Sequence, residues 1–136
     1  TQVSTETFYK TASDFRTAVN AAYSALQADG LYANAFSHLA EVPSDNVGIL
    51  QAGNAQSEFD VFVVTPANAS LLAVYGASYA GIQRCNVVLN RIEPVALSPA
   101  TLKDQFIGEA RFLRALHYFN LVRFFGDVPL VVAATR

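Results

Sequence analysis

The sequence predicts an all-α, mostly helical protein, and three observations carry this prediction. Apolar residues recur at helical spacing in three long stretches, at about 12–29, 66–92 and 99–125. Capping and terminating residues stand at the ends of these stretches. Of the 136 residues, 52% are hydrophobic and 15% charged, which suits one domain with a real core. We therefore expect residues 1–136 to form part or all of one helical domain.

The first helix is predicted at residues 12–29. Thr11 is its predicted N-cap, and Asp14 stands three residues later, as in a capping box. Gly30 follows the last apolar position, where a left-handed glycine commonly ends a helix. One face is apolar over its whole length and is formed by Phe15, Ala18, Val19, Ala22 and Leu26.

The second helix is predicted to begin near Thr65 or Asn68 and to continue to about residue 92. Thr65 suits the N-cap and Pro66 the first helical position. Pro94 stops the helix, because the residue before a proline avoids helical geometry. Small residues at 76–77 and 80–81 indicate that another helix approaches closely there. The apolar stripe runs through Leu72, Tyr75, Tyr79, Ile82, Asn86 and Leu89.

The third helix is predicted at residues 99–125, with Ser98 as its cap, Pro99 at its first position and Gly126 as its terminator. Residues 112–125 are apolar on nearly every side. Such a helix is normally buried on every side. Two other helices cannot easily cover it, so we expect part of its packing surface to lie outside this chain.

The connection between the first two helices, residues 31–64, has no helical period. Turn-forming residues stand at 44–46 and 52–54. Residues 47–50 and 59–64 are candidates for short strands of a hairpin. Connections of this length are often functional or ordered by a partner. Beyond Gly126, residues 127–132 are predicted to be extended, because Pro129 opposes a helix.

Composition excludes several classes of function. The net charge of −2 gives nucleic acid no attraction, so nucleic acid is a poor partner. The single cysteine, Cys85, allows neither an intrachain disulfide nor a cysteine-rich zinc site. The most apolar stretch, residues 106–132, carries too many polar and charged residues for a membrane span.

The sequence contains no catalytic or metal-binding motif that we could identify, and it predicts no cofactor. His117 is interpreted as a hydrogen-bonded core histidine and Cys85 as a small core residue. Glu58 and Asp60 are two residues apart in a candidate strand, so a solvated face is favoured over a catalytic pair. Glu109 lies among arginines, which indicates a partly buried ion pair or an arginine bound to carbonyl groups.

One block of sequence has a specific resemblance. Residues 109–115 read EARFLRA, 118–122 read YFNLV and 125–130 read FGDVPL. This block resembles the SusD/RagB family of Bacteroidetes outer-membrane nutrient-binding lipoproteins. Residues 18–23 (AVNAAY), the turn at 44–46 and residues 79–86 (YAGIQRCN) resemble earlier parts of the family in the same order. The resemblance covers essentially the whole chain.

The resemblance implies an N-terminal portion of a longer SusD-like protein, whose helices form tetratricopeptide-like pairs. It further implies a lipid-anchored protein at the cell surface of the outer membrane, seated on a TonB-dependent transporter of the SusC type. Cys85 lies in mid-helix and cannot carry the lipid, so the anchor is expected outside this chain. Without it the fragment is expected to be soluble.

The implied function is capture of a glycan, starch-like or another polysaccharide, and its delivery to the transporter without bond cleavage. Another nutrient remains an open alternative. Candidate binding residues in the connection are Asp45, Asn46 and Asn54, which could bond sugar hydroxyls, and Phe59. Asp45 and Asn46 could instead simply form a turn. Aromatic residues outside the long helices, including Tyr9, Tyr32, Phe36 and Phe62, are further candidates for exposed stacking surfaces.

Two other functions compete with glycan capture. A helical protein-interaction scaffold needs no ligand site in this chain, and it is consistent with the helix pairing and the small residues on the second helix. A hydrolase requires an acid–base pair in a cleft, which the sequence does not indicate. Exposed apolar surface on the third helix also makes a dimer an open alternative.

Overall fold

The computed structural model describes residues 8–44, 46–50 and 53–135, and within these ranges the chain forms helices and no strand. The all-α prediction is confirmed. The helices are α1 (Ala12–Ser24), α2 (Ala35–Ala40), α3 (Ser57–Asp60), α4 (Ala69–Ile92) and α5 (Ala100–Phe125), with a 3₁₀ turn at Ala25–Gln27. The chain divides into two compact units. The terminal unit joins the chain up to Ser24 with the chain from Ala80 onward, and the central unit is Ala25–Tyr79.

The core of the terminal unit lies where α1 meets α5. The rings of Phe15 and Phe106 stack with their centroids 6.5 Å apart. Arg16 lies over the Phe106 ring at 4.7 Å and pairs with Glu109 at 3.2 Å. The same cluster of buried side chains includes Ala18, Val19, Val88, Ile92 and Ala110. The apolar face predicted for the first helix is therefore the face that α1 buries.

The predicted start of α1 is confirmed, but the predicted role of Gly30 is wrong. The Thr11 amide donates to the Asp14 carboxylate at 2.9 Å, and the Asp14 amide donates to the Thr11 hydroxyl at 3.2 Å. Gly30 does not adopt the left-handed conformation. A Cβ atom there would lie 2.7 Å from Cβ of Ala77 and would collide with the Ala73 carbonyl. Close approach, rather than backbone freedom, requires this glycine.

The start of α4 lies at Asn68, the second of the two predicted positions. Its side-chain oxygen accepts hydrogen bonds from the amides of Ser70 at 2.9 Å and Leu71 at 3.3 Å, as an N-cap does. Thr65 is not the cap. Its amide and hydroxyl donate instead to the Glu58 carboxylate.

The structure corrects one prediction for α5 and agrees with another. The N-cap is Pro99 rather than Ser98, while Gly126 ends the helix as predicted, at φ 71° with its amide bonded to Val122. As expected, the other helices of the described chain do not cover α5 on every side: Phe112 is 64% and Phe119 57% exposed. The neighbouring helices of the described chain cover the opposite face only, which contains Phe106, Ala110, Leu113, His117, Asn120 and Leu121.

The hairpin predicted within residues 31–64 is wrong. Two short helices, α2 and α3, occupy the connection, and no strand pairing occurs in its described residues. Phe59, placed in a strand by the sequence pattern, lies in α3. The backbone here forms helical hydrogen bonds instead of strand pairing. The Glu41 amide donates to the Ser37 carbonyl at 2.8 Å, and the Val61 amide donates to the Ser57 carbonyl at 3.3 Å.

The described chain after α5 forms no further helix, and side chains of α4 and α5 hold it. We call residues 130–135 the C-terminal strap. The Asn86 amide donates to the Val131 carbonyl at 2.9 Å, and Arg114 donates to the Val132 carbonyl at 3.2 Å. The Tyr118 hydroxyl bonds both backbone groups of Val131. The strap is thus fixed by side chains rather than by a strand partner.

Candidate functional site

The central unit presents an exposed aromatic ring on the loop between α3 and α4. Phe62 is 73% exposed, more than any other aromatic residue in the described ranges. Its backbone lies in the left-handed region, at φ 54°. That conformation costs a non-glycine residue about 1–2 kcal/mol, so the surroundings must hold it there. The adjacent valines at 61, 63 and 64 are exposed as well.

Three side chains, which we call the Glu58 clasp (Glu58, Thr65 and Asn68), close this loop at its base. The Glu58 carboxylate accepts hydrogen bonds from the Thr65 amide at 2.8 Å, the Thr65 hydroxyl at 3.0 Å and the Asn68 amide group at 3.0 Å. These donors, the Thr65 amide first, hold the pKa of Glu58 below its usual value. The clasp therefore fixes both ends of the segment that carries Phe62.

The residues that the sequence suggested for glycan binding are not joined by any contact of the described chain. Asp45 lies outside the described residues. Asn46 is exposed in a turn. Asn54 accepts a hydrogen bond from the Ser57 amide at 2.8 Å and so orders the entry to α3. Phe59 is 5% exposed, which leaves its ring no face for a sugar.

Sequence reasoning named Phe62 only as one of several aromatic candidates. The run of Val and Phe at 61–64 has the composition of a strand, so the sequence predicts a strand where the structure has a loop closed by the Glu58 clasp. The signal that could have found it is the set of polar residues around the run. Glu58 precedes it, and Thr65 and Asn68 follow it, at distances that allow one carboxylate to reach both.

Two buried ionisable groups of the terminal unit, His117 and Cys85, are uncharged at physiological pH. His117 is fully buried as predicted, but neither ring nitrogen has a hydrogen-bond partner among the described residues, so its predicted hydrogen bonding is wrong. Burial lowers the pKa of His117 to about 4, which keeps the ring neutral at physiological pH. Burial raises the pKa of the Cys85 thiol to about 11, so a thiolate nucleophile is not available.

The carboxylates that could suggest catalysis have structural roles. Glu109 pairs with Arg16 and also accepts from Gln105 at 2.8 Å. It contributes, after burial, to raising the pKa of Tyr23. Glu58 belongs to the clasp, and Asp60 accepts from the Ile49 amide at 3.3 Å. Arg114 donates to the Asn86 side-chain oxygen and to the Val132 carbonyl. This is the arginine bound to carbonyl groups that the sequence offered as an alternative to an ion pair around Glu109.

Metal binding and membrane insertion find no support in the part of the chain that the structure describes. Its His, Cys, Asp and Glu side chains form no group of three or more that could hold a metal ion. None of its helices combines the length and apolarity needed to cross a membrane.

The described residues thus form a helical scaffold that holds an exposed aromatic loop, and the carboxylates of Glu58, Asp60 and Glu109 are engaged in structural bonds. Comparison with known proteins identifies the family. A family model, SusD-like, described as starch-binding and associating with the outer membrane, matches residues 3–136. The chain belongs to this SusD-like family, as the resemblance in its sequence predicted.

Curated relatives agree with this assignment. Over 93% of its length the chain is 24% identical to SusD-like protein P2 of Formosa agariphila. Over 97% it is 29% identical to SusD-like protein P38 of the same organism. The chain spans about a quarter of the length of these relatives. No solved structure matches the chain significantly.

Proposed function

We propose that this chain is part of a non-catalytic binding subunit of an outer-membrane nutrient uptake system. It captures glycans, starch-like or other polysaccharides, at the cell surface and passes them to a TonB-dependent transporter of the SusC type. Membership of a family described as starch-binding and associating with the outer membrane supports this proposal. A lipid anchor holds the protein to the membrane.

The exposure of the Phe62 ring is the observation that supports a glycan-binding site within this chain. Apolar faces of sugar rings stack on aromatic side chains, and neighbouring polar groups orient them. A ring held out in a left-handed conformation by the Glu58 clasp is already ordered, so binding loses less conformational entropy. Asp45, Asn46 and Asn54 remain proposed hydrogen-bonding partners of the sugar.

Binding of a panel of neutral oligosaccharides tests this function, first by array and then by calorimetry, with this chain beside its longer parent protein. We expect Phe62→Ala to weaken binding about tenfold or more, in line with the loss of a stacked aromatic contact. Phe119→Ala, which removes a comparably exposed ring in the terminal unit, is the matched control and should leave affinity unchanged. Glycan binding that survives Phe62→Ala would contradict the assignment of this site.

A helical protein-interaction scaffold without a ligand site is the alternative function. It is favoured by the exposed apolar residues of α5, among them Phe112, Phe119 and Val122. Absence of glycan binding by both this chain and its longer parent protein would favour this reading.

A further inference from the structure

The basic residues of the chain are segregated. All nine Lys and Arg residues lie outside Ala25–Tyr79, whereas that central unit contains five of the eleven Asp and Glu residues. The terminal unit is therefore positive although the whole chain is negative. Such a concentration of one sign of charge raises the question of what the terminal unit attracts.

Three of these cations line one cleft between the second half of α4 and the first half of α5. We call it the basic cleft (Lys103, Arg111 and Arg114). Its volume is about 330 Å³, and Glu93 is the only carboxylate among the described residues that line it. Leu89 and Ile107 form part of its apolar wall. Three cations against one anion leave the cleft with a positive charge.

Bonds to neutral groups position two of the cations without neutralising them. Lys103 donates to the carbonyls of Glu93 at 2.6 Å and Val95 at 3.0 Å, which leaves one of its three N–H groups unused. One terminal nitrogen of Arg114 donates to the Asn86 side chain at 2.9 Å and to the strap. The remaining N–H groups of its guanidinium are available to a ligand.

Arg111 is the cation of the cleft with no structural bond. It stands one helical turn before Arg114, so both side chains leave α5 on neighbouring positions of one face. It is exposed, and it forms no hydrogen bond or ion pair with the described residues. A guanidinium presents a planar pair of donors that fits a carboxylate or sulfate in a bidentate manner.

We propose that the basic cleft binds the carboxylate or sulfate group of an acidic saccharide. The anionic part of this inference stands on the cleft alone, whereas the saccharide part rests on the proposed function. The volume is at the low end of ligand pockets, which fits one acidic sugar residue rather than a run of polymer. The aliphatic wall contacts the apolar face of that sugar while the guanidinium groups bind its anion.

Calorimetric titration of the full chain with glucuronate, inorganic sulfate and glucose tests the cleft. We expect glucuronate to bind more tightly than glucose, with an affinity that falls as salt rises. Arg111→Gln should weaken binding of glucuronate and sulfate about tenfold or more, through loss of charge-assisted hydrogen bonds. Arg123→Gln, an exposed arginine two turns beyond the cleft on the same helix, is the matched control and should change nothing.

The outcomes separate this inference from the proposed function. Glucuronate binding that is absent, or that Arg111→Gln does not weaken, overturns the basic cleft. Sulfate binding that depends on Arg111, together with glucuronate binding no better than glucose, overturns the saccharide part. Neutral oligosaccharides that bind through Phe62 while glucuronate fails leave the glycan function standing without the cleft. The converse result supports the cleft and removes the neutral-glycan function.

Discussion

A single glycine sets how closely two helices of the terminal unit can approach. A Cβ atom at Gly81 would overlap the His117 ring, which is buried and has little room to move. We expect Gly81→Ala to destabilise the chain by about 1–3 kcal/mol, the usual cost of overpacking. Gly76→Ala, on the same helix with nothing within 4 Å, should stabilise it by about 1 kcal/mol through helix propensity. Urea unfolding of both variants measures this, and equal effects would contradict the packing argument.

His117 makes stability depend on pH. Its folded-state pKa, about 4, lies below the ordinary value of 6.5, so the unfolded chain takes up the proton first. The free energy of unfolding should therefore fall as the pH drops from about 6.5 to about 4. Above about pH 6.5 the ring is neutral in both states, and this group lowers stability no further. Thermal melts at pH 7 and pH 5 measure the loss. We expect the loss to be smaller in His117→Leu than in the native chain; an equal loss in the two would show that His117 is not its source.

Local interactions between near neighbours were predictable at this scale, whereas those with distant partners were not. The Thr11–Asp14 capping box spans three residues, and the sequence alone determines it. The glycine at position 30 was correctly marked as special but for the wrong reason, because its constraint comes from Ala73 and Ala77 on α4. The ion-pair partner of Glu109 is Arg16, 93 residues away rather than in the adjacent turn.

At the scale of elements, one buried amide contributes two of the hydrogen bonds that hold the C-terminal strap. Asn86 is fully buried, donates to the carbonyls of Val131 and Ala133, and accepts from Arg114. We expect Asn86→Ala to loosen the strap, so that hydrogen exchange of the Val131 amide accelerates about tenfold or more. The backbone amides of α1 should keep their protection.

The exposed Asn20→Ala is the matched control, because it removes an asparagine that holds nothing in the described structure. If the Val131 amide exchanges equally fast in both variants, the strap does not depend on Asn86. Tyr118→Phe should also accelerate exchange there, since the Tyr118 hydroxyl accepts directly from that amide.

The three long helices were predictable within a few residues because apolar period and end signals agree along each. The connection was not. Its Val-rich segment at 61–64 satisfies a strand pattern, yet the Glu58 clasp holds it as an exposed loop. The clasp joins residues on both sides of Phe62, a contact that periodicity does not reveal, and so the candidate site could not be located from periodicity.

At the scale of the whole molecule, the fold class follows from the long helices, but the binding surface follows from charge and exposure. The sequence argument against a nucleic-acid partner rests on the net charge of −2, which conceals the segregation of nine cations outside the central unit. Net charge is an average, whereas a ligand meets a local field. The proposed anion site therefore rests on the grouping of Lys103, Arg111 and Arg114 in the structure, which the net charge does not indicate.

The exposed apolar face of α5 should make the chain self-associate when it is studied alone. Phe112, Phe119 and Val122 are each more than half exposed, and with Gly108 and Ala115 they repeat every three or four residues along about 21 Å of helix. Contiguous apolar surface on the solvent-facing side of a helix is typical of protein–protein interaction sites. Sedimentation velocity over a concentration series should therefore show reversible association.

We expect the double variant Phe112→Ser with Phe119→Ser to be monomeric at every concentration tested and to keep its helical circular dichroism, because neither side chain is part of the buried core. Leu72→Ser, which removes an equally exposed leucine from α4, should associate as the native chain does. Association that persists in the double variant would place the contact elsewhere, and it would remove the observation that favours a protein-interaction scaffold over glycan capture.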